Sequence, residues 1–152
     1  MKSCTIYKTN KNYIVVTEST SDIGLGIIDD PIYTLPLDVS IDEFQKKLFE
    51  CLSKSKTGVS TPKNNEWASW EKDQLLKMGQ RSFTTLYKNS NSCQVSLDGN
   101  VLIISPYKYY DPNRPKDGLC LLQDAEIKID FSSVAKTEII IKLIEMLNVS
   151  YK

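Results

Sequence analysis

A strand–turn–helix pattern occurs twice in this chain, 95 residues apart, and it constrains the fold more than any other feature. Residues 32–56 read IYTLPLDVSIDEFQKKLFECLSKSK, and residues 127–151 read IKIDFSSVAKTEIIIKLIEMLNVSY. Aligned without a gap they share Ile32/Ile127, Val39/Val134, Glu43/Glu138, Lys47/Lys142, Leu48/Leu143, Glu50/Glu145, Leu52/Leu147 and Ser55/Ser150. In the first copy Ile41, Phe44, Leu48, Cys51 and Leu52 fall on one helical face, with Asp42, Lys46, Lys47, Glu50 and Lys54 on the other. Ser40 is placed to accept from the Glu43 backbone N–H while the Glu43 side chain reaches back, and Val39 and Phe44 stand at the flanking apolar positions. The second copy has Ala135 where Ser40 stands. Its stripe of Ile139, Ile140, Leu143, Ile144 and Leu147, widened by Ile141, predicts deeper burial. The repetition predicts two similarly built halves around one core.

Between and before these units the chain reads mostly as strands. Residues 4–8 and 13–17 flank the polar TNKN and predict a hairpin. SDIGLGIIDDP predicts a loop or short strand around Gly24 and Gly26, and residues 57–66 a loop. Residues 67–78 predict a short helix that stops at Gly79. Residues 82–88 predict a strand. CQVSL-DG-NVLIISP predicts a hairpin turning at Asp98-Gly99, with Pro106 ending its second arm. A Pro- and Tyr-rich loop over 106–118 follows, then strands near 119–122 and 125–130. At 152 residues the expectation is one domain over 1–152, of α+β class, with mainly antiparallel sheet and two principal amphipathic helices.

The composition removes several chemistries. The chain has no histidine, which excludes His-based triads, imidazole metal ligation and the commonest general base. Gly24-Leu25-Gly26 lacks a third glycine, and Pro31 interrupts the helix that a phosphate cradle needs. Asp29-Asp30 is not followed by the spaced oxygen ligands of a calcium loop. Cys4, Cys51, Cys93 and Cys120 form no C-x-x-C pair and read as four buried, reduced thiols. No secretory signal or membrane-length apolar run is visible, so a cytoplasmic protein is expected. No catalytic residue, cofactor or metal is expected.

Charge is uneven although the net charge is +0. Residues 21–50 carry seven acids against two lysines, and residues 51–90 carry seven bases against three acids. Two readings follow: a binding face, or two solvated surfaces that complement each other. Trp67 and Trp70 share a helical face and suit either core packing or an interface anchor. Tyr107, Tyr109 and Tyr110, beside Asp111 and Asp117 on a proline-stiffened loop, suit recognition, because tyrosine offers contact area at small entropic cost. Binding of single-stranded nucleic acid by aromatic stacking is a competing reading, opposed by the neutral net charge and interleaved acids. A regulatory α+β domain, or a small hydrolase using carboxylates or a cysteine, completes the alternatives.

Five pieces in order carry a resemblance. Gly26 precedes Pro31-Ile32-Tyr33. SIDEFQKKLFECLSKSKTGVSTP follows, a helix with a Ser-x-x-Gly-Val-x-x-Pro tail. RSFTTLYKNSNSCQVSLDGNVLIISPYK comes next, then Gly118-Leu119-Cys120-Leu121-Leu122 and the closing strand–helix unit. From about residue 10 to 150 this order resembles the CdiI family of contact-dependent growth inhibition immunity proteins. Two departures stand out: Phe83 follows Ser82 where tryptophan is expected, and YYDPNRPKD is distinctive to this chain. The resemblance implies a bacterial cytoplasmic protein, not an enzyme. Such a protein neutralises the C-terminal toxin domain of its own cell's CdiA, frequently an RNase or other nuclease, by covering the active site or substrate groove. The family does not assign the contact residues. Local charge and loop chemistry nominate Asp22, Asp29, Asp30, Tyr107, Tyr109, Tyr110, Asp111 and Asp117, whose acids would speed association with a basic nuclease.

Overall fold

The computed structural model describes every residue from Met1 to Lys152. The chain runs β1 (Lys2–Lys8), β2 (Asn12–Ser21), β3 (Gly26–Pro36), α1 (Ile41–Lys54), β4 (Thr57–Val59), α2 (Trp67–Met78), α3 (Phe83–Lys88), β5 (Asn91–Asp98), β6 (Val101–Tyr109), β7 (Leu119–Leu121), β8 (Ile127–Asp130) and α4 (Lys136–Leu147). The strands form one sheet in the order β3-β2-β1-β5-β6-β7, with β4 beside the end of β2 and β8 beside the start of β6. Every pairing is antiparallel except β2 with β4. The α+β expectation is met.

The repeat is larger than the sequence alignment shows. Each half is an antiparallel three-stranded meander followed by a helix: β1-β2-β3-α1 and β5-β6-β8-α4. The halves join through the antiparallel β1–β5 pair. The registers place Cys4, Ile6, Tyr13 and Val15 in the positions that Cys93, Val95, Leu102 and Ile104 occupy in the other half. Continuing outward, Tyr33 and Leu35 correspond to Ile127 and Ile129. In the helices, Phe44, Leu48, Cys51 and Leu52 correspond to Ile139, Leu143, Met146 and Leu147. All of these residues belong to one apolar core or pack against it.

This equivalence corrects the ungapped alignment in its strand part. Ile32 pairs with Val16 and packs on the opposite face of the sheet, whereas Ile127 pairs with Ile104 and packs on the main core. The strand identity is therefore coincidental, because a one-residue slip sends a side chain to the other face. The helical identities are in true register.

Helices α1 and α4 cover one face of the sheet, and α2 and α3 cover part of the other. Ser40 caps α1 as expected, its hydroxyl accepting from the Glu43 N–H at 3.1 Å. Glu43 points instead toward Lys47, 4.0 Å away. Ile41 and Ile141 are exposed, not part of the buried stripes, because each lies at the margin of its helix's apolar arc. Gly79 ends α2 with φ 66°, a left-handed conformation that lets its N–H meet the carbonyls of Leu75 and Leu76.

Several local expectations are corrected. Residues 83–88 are helical: the Ser82 hydroxyl accepts from Thr85 N–H at 3.0 Å, and Phe83, Leu86 and Tyr87 have i, i+3, i+4 spacing against the smaller core. Residues 57–59 pair in parallel with β2, so the predicted loop begins with a short strand. The segment after Gly24 extends into an eleven-residue strand. The second hairpin turns one residue later than expected, at Gly99-Asn100, since Asp98 still pairs with Val101. Gly99 takes φ 60° there. Pro106 does not end β6: it pairs with Cys93, and the strand continues through Tyr109. Its missing N–H removes no interior bond, because its outer neighbour β7 meets it only through the Pro106 carbonyl, which accepts from Leu122 at 2.9 Å. All four cysteines are free, but Cys120 is only half-buried.

Candidate functional site

The face of the sheet opposite α1 and α4 is covered at one end only. The strand period of two sends Thr5 and Tyr7 of β1, and Val16 and Glu18 of β2, to this face. They form the floor of a cleft of about 500 Å³. Trp67, Trp70 and Glu71 of α2, with Phe83 and Tyr87 of α3, line it on one side. Tyr107 of β6 and the segment Lys116–Leu119 line it on the other, and Leu25 to Ile28 complete it at the start of β3. No element caps it.

The site's elements have local causes. Helix α2 has no side-chain cap, and Trp67 and Trp70 sit on its first turn with rings 5.4 Å apart and nearly perpendicular. Tyr87 stacks on Tyr7 at 6.3 Å, which ties α3 to β1, and lies tilted against Phe83 at 6.0 Å. The 110–118 loop folds back through a backbone bond from Tyr110 N–H to Gly118 O at 3.0 Å and through Arg114 to Asp117 at 3.3 Å. That fold-back brings Lys116 and Asp117 to the cleft's edge.

Glu18 is the acid on the floor. Its carboxylate accepts the Thr5 hydroxyl, and Thr5 Oγ1 lies 3.3 Å from the Tyr107 hydroxyl. Thr5 has one proton, so when Glu18 is ionised Tyr107 must donate to Thr5. Burial pushes the Glu18 carboxyl up to about 7, against a smaller downward pull from the Gln94 side chain. Burial likewise pushes the Tyr7 and Tyr107 hydroxyls up, so both stay protonated. The arrangement offers a carboxyl that switches between donor and acceptor near neutrality, ringed by aromatic faces. No groups converge as metal ligands.

The nominated residues divide. Tyr107 and Asp117 line the cleft. Tyr109 lies under the Lys152 ammonium, 5.7 Å from the ring centre. Tyr110 is 71% exposed, and Asp111 accepts the Asn113 N–H at 2.9 Å in a tight turn. The other three acids stand elsewhere and have intramolecular partners. Asp22 holds Thr61, whose hydroxyl and N–H pull its carboxyl below the usual range. Asp29 accepts the Ser19 hydroxyl at 2.6 Å, and Asp30 pairs with Lys77 at 3.1 Å. The last contact joins the acidic and basic segments, so part of the charge asymmetry is internal complement. Sequence reasoning did not single out Glu18. The one available signal was an acid in the inward alternation of a β-branched strand, Val16-Thr17-Glu18.

No helix is long and apolar enough to cross a membrane. No curated protein matches the chain significantly in sequence. Among solved structures, a protein of unknown function from Neisseria meningitidis superposes with TM-score 0.72 at 18% identity, over 97% of this chain and 93% of that one. A CdiA-CT/CdiI toxin and immunity complex from Yersinia pseudotuberculosis gives TM-score 0.69 at 15% identity, over 97% of this chain and 95% of that one. At these identities the likeness is one of fold. The family described as CdiI, CDI immunity protein, matches residues 2–130, which span both meanders, α1 and all the lining of the cleft. The chain belongs to the CDI immunity protein family.

Proposed function

We propose that this chain is an immunity protein that binds the CdiA C-terminal toxin domain of its own cell and neutralises it by covering the active site or substrate groove. The observation that carries this reading is the family match over residues 2–130. The Yersinia pseudotuberculosis neighbour, a toxin and immunity complex, supports it through a shared fold. In this reading residues 1–152 act as one module in the bacterial cytoplasm, and neutralisation by occlusion needs no turnover by the chain. The toxin is a nuclease, which suits acids presented at the contact surface.

The open cleft is the centre of the proposed contact, with Tyr107 and Asp117 on its wall and Tyr109, Tyr110 and Asp111 continuing the surface beside it. Asp29 and Asp30 of β3 and Asp22 in the turn that precedes it lie outside the cleft. A solvated rim around an aromatic centre is how affinity concentrates at interfaces.

The test is co-expression with the C-terminal segment encoded by the neighbouring upstream gene. Growth arrest by that segment alone, with rescue and a stable complex when this chain is present, is expected. Toxicity without rescue by the folded chain overturns the pairing. RNA and DNA degradation in the arrested cells reports whether the toxin is a nuclease.

A further inference from the structure

Glu18 has no charge partner within the chain. None of the four ion pairs involves it, although they draw in Asp30, Glu43, Asp117 and Glu126. Its Oε2 faces Gly26, which has no side chain to crowd it: a Cβ built there would stand 3.9 Å away. The Thr5 hydroxyl and Gln94 serve the carboxyl from the floor, which leaves the cleft side open. Trp67, Trp70, Tyr7, Tyr87 and Tyr107 line the same cleft. An aromatic face attracts a cation through its quadrupole, and a carboxylate in a low-dielectric recess attracts it more strongly. A long aliphatic stem packs against the same rings.

We infer that the cleft receives a lysine or arginine side chain of the toxin domain, with Glu18 as its counter-ion and the Trp67–Trp70 pair as its aromatic wall. This rests on the immunity reading and specifies where the toxin's charge goes. Lys116, on the exposed turn, is the one basic residue of the chain lining the cleft, and its like charge opposes the incoming cation.

A consequence distinguishes this pocket from ordinary contact area. The counter-ion must be ionised, and burial holds the free Glu18 carboxyl up at about 7. Binding therefore expels a proton and strengthens as pH rises. The other ionisable groups lining the cleft with Glu18 are Tyr7 on β1, Tyr107 on β6, Tyr87 on α3, Glu71 on α2, and Lys116 and Asp117 on the loop, while Cys4 lies behind the floor on the opposite face of β1. Cys4 and the three tyrosines are pushed up by burial and keep their protons throughout the neutral range.

The test uses the toxin segment from the upstream gene, recovered from the co-expressed complex, and measures Kd at about pH 6 and about pH 8, on either side of the Glu18 titration. The wild-type chain should bind about tenfold tighter at the higher pH, the ratio of ionised carboxyl for a group titrating near neutrality. Glu18→Gln should lose most of that pH dependence and bind about tenfold or more weakly at the higher pH. Lys116→Gln should bind at least as well as wild type. Both tryptophans of the chain line the cleft, so incorporation of 5-fluorotryptophan gives two fluorine resonances, and both should move when the toxin binds. Wild-type affinity at both pH values in Glu18→Gln, or unmoved fluorine resonances in a formed complex, overturns the pocket and leaves the immunity reading standing. Absence of binding by the wild-type chain overturns the immunity pairing, and the pocket with it.

Discussion

Glu18 shows how burial makes the stability of the fold depend on the protonation of one side chain. Burial on folding raises its carboxyl from 4.5 to about 7. Between those values the folded state holds a proton that the unfolded state has released, so stability falls as pH rises through the window. A tenfold change in proton affinity is worth about 1.4 kcal/mol, and partial solvent access brings the whole effect to about 2 kcal/mol. Glu18→Gln should therefore be more stable than wild type by about 2 kcal/mol near pH 8, with the gain gone by about pH 4. Urea unfolding at the two pH values checks this. An unchanged difference across the range would mean the carboxyl is not held up by burial. A residue whose removal stabilises the fold while weakening binding is one kept for recognition.

The elements repeat, but their ends do not. Helix α1 begins at a capped serine, whereas α4 begins at Ala135, which has the same extended backbone (φ −62°, ψ 140°) and no side-chain acceptor. Ser40→Ala should lose about 1 kcal/mol, and Ala135→Ser should gain about 0.5–1 kcal/mol by accepting from the Glu138 N–H. Thermal unfolding of the two single variants measures both signs. Helix α4 forms without a cap because its packing compensates: Ile139, Ile140, Leu143 and Leu147 are fully buried. Deleting buried aliphatic groups costs about 2–5 kcal/mol at each site. The corresponding leucines Leu48 and Leu143 are both fully buried, so Leu48→Ala and Leu143→Ala should destabilise by similar amounts within that range.

At the scale of the molecule the two faces of the sheet are packed differently. The α1 and α4 face is closed by one continuous core drawn from both halves. The opposite face carries a smaller core under α2 and α3 and leaves the cleft beside it. Trp70→Ala should thus abolish rescue from the cognate toxin while shifting Tm by only a few degrees, since Trp70 is half-buried at the cleft wall. Leu143→Ala should lower Tm strongly yet retain rescue under conditions where the chain is folded. Survival assays paired with thermal unfolding separate the two behaviours. Alanine replacement of Tyr107, Tyr109, Tyr110, Asp111 and Asp117 together should weaken toxin binding more than replacement of Asp22, Asp29 and Asp30, whose carboxylates already have partners within the chain.

The helices were legible because their information is local. Ser40, the Phe44-Leu48-Cys51-Leu52 stripe, its counterpart in α4, and Gly79 after α2 each act within a few turns of backbone. Even α3 had its cap and spacing in view, but its aromatic and β-branched residues suggested a strand. The order of motifs pointed to the family. What stayed illegible depended on register. Ile32 and Ile127 match in sequence and face opposite ways, because one residue of offset between strand and helix inverts the face. The cleft floor needs Thr5, Glu18, Gln94 and Tyr107 side by side, and their positions span about a hundred residues with no shared motif. Cross-strand pairing creates that neighbourhood, and the desolvation that lifts Glu18 exists only once β1, β2, β5 and β6 have paired and α2 has closed over one side.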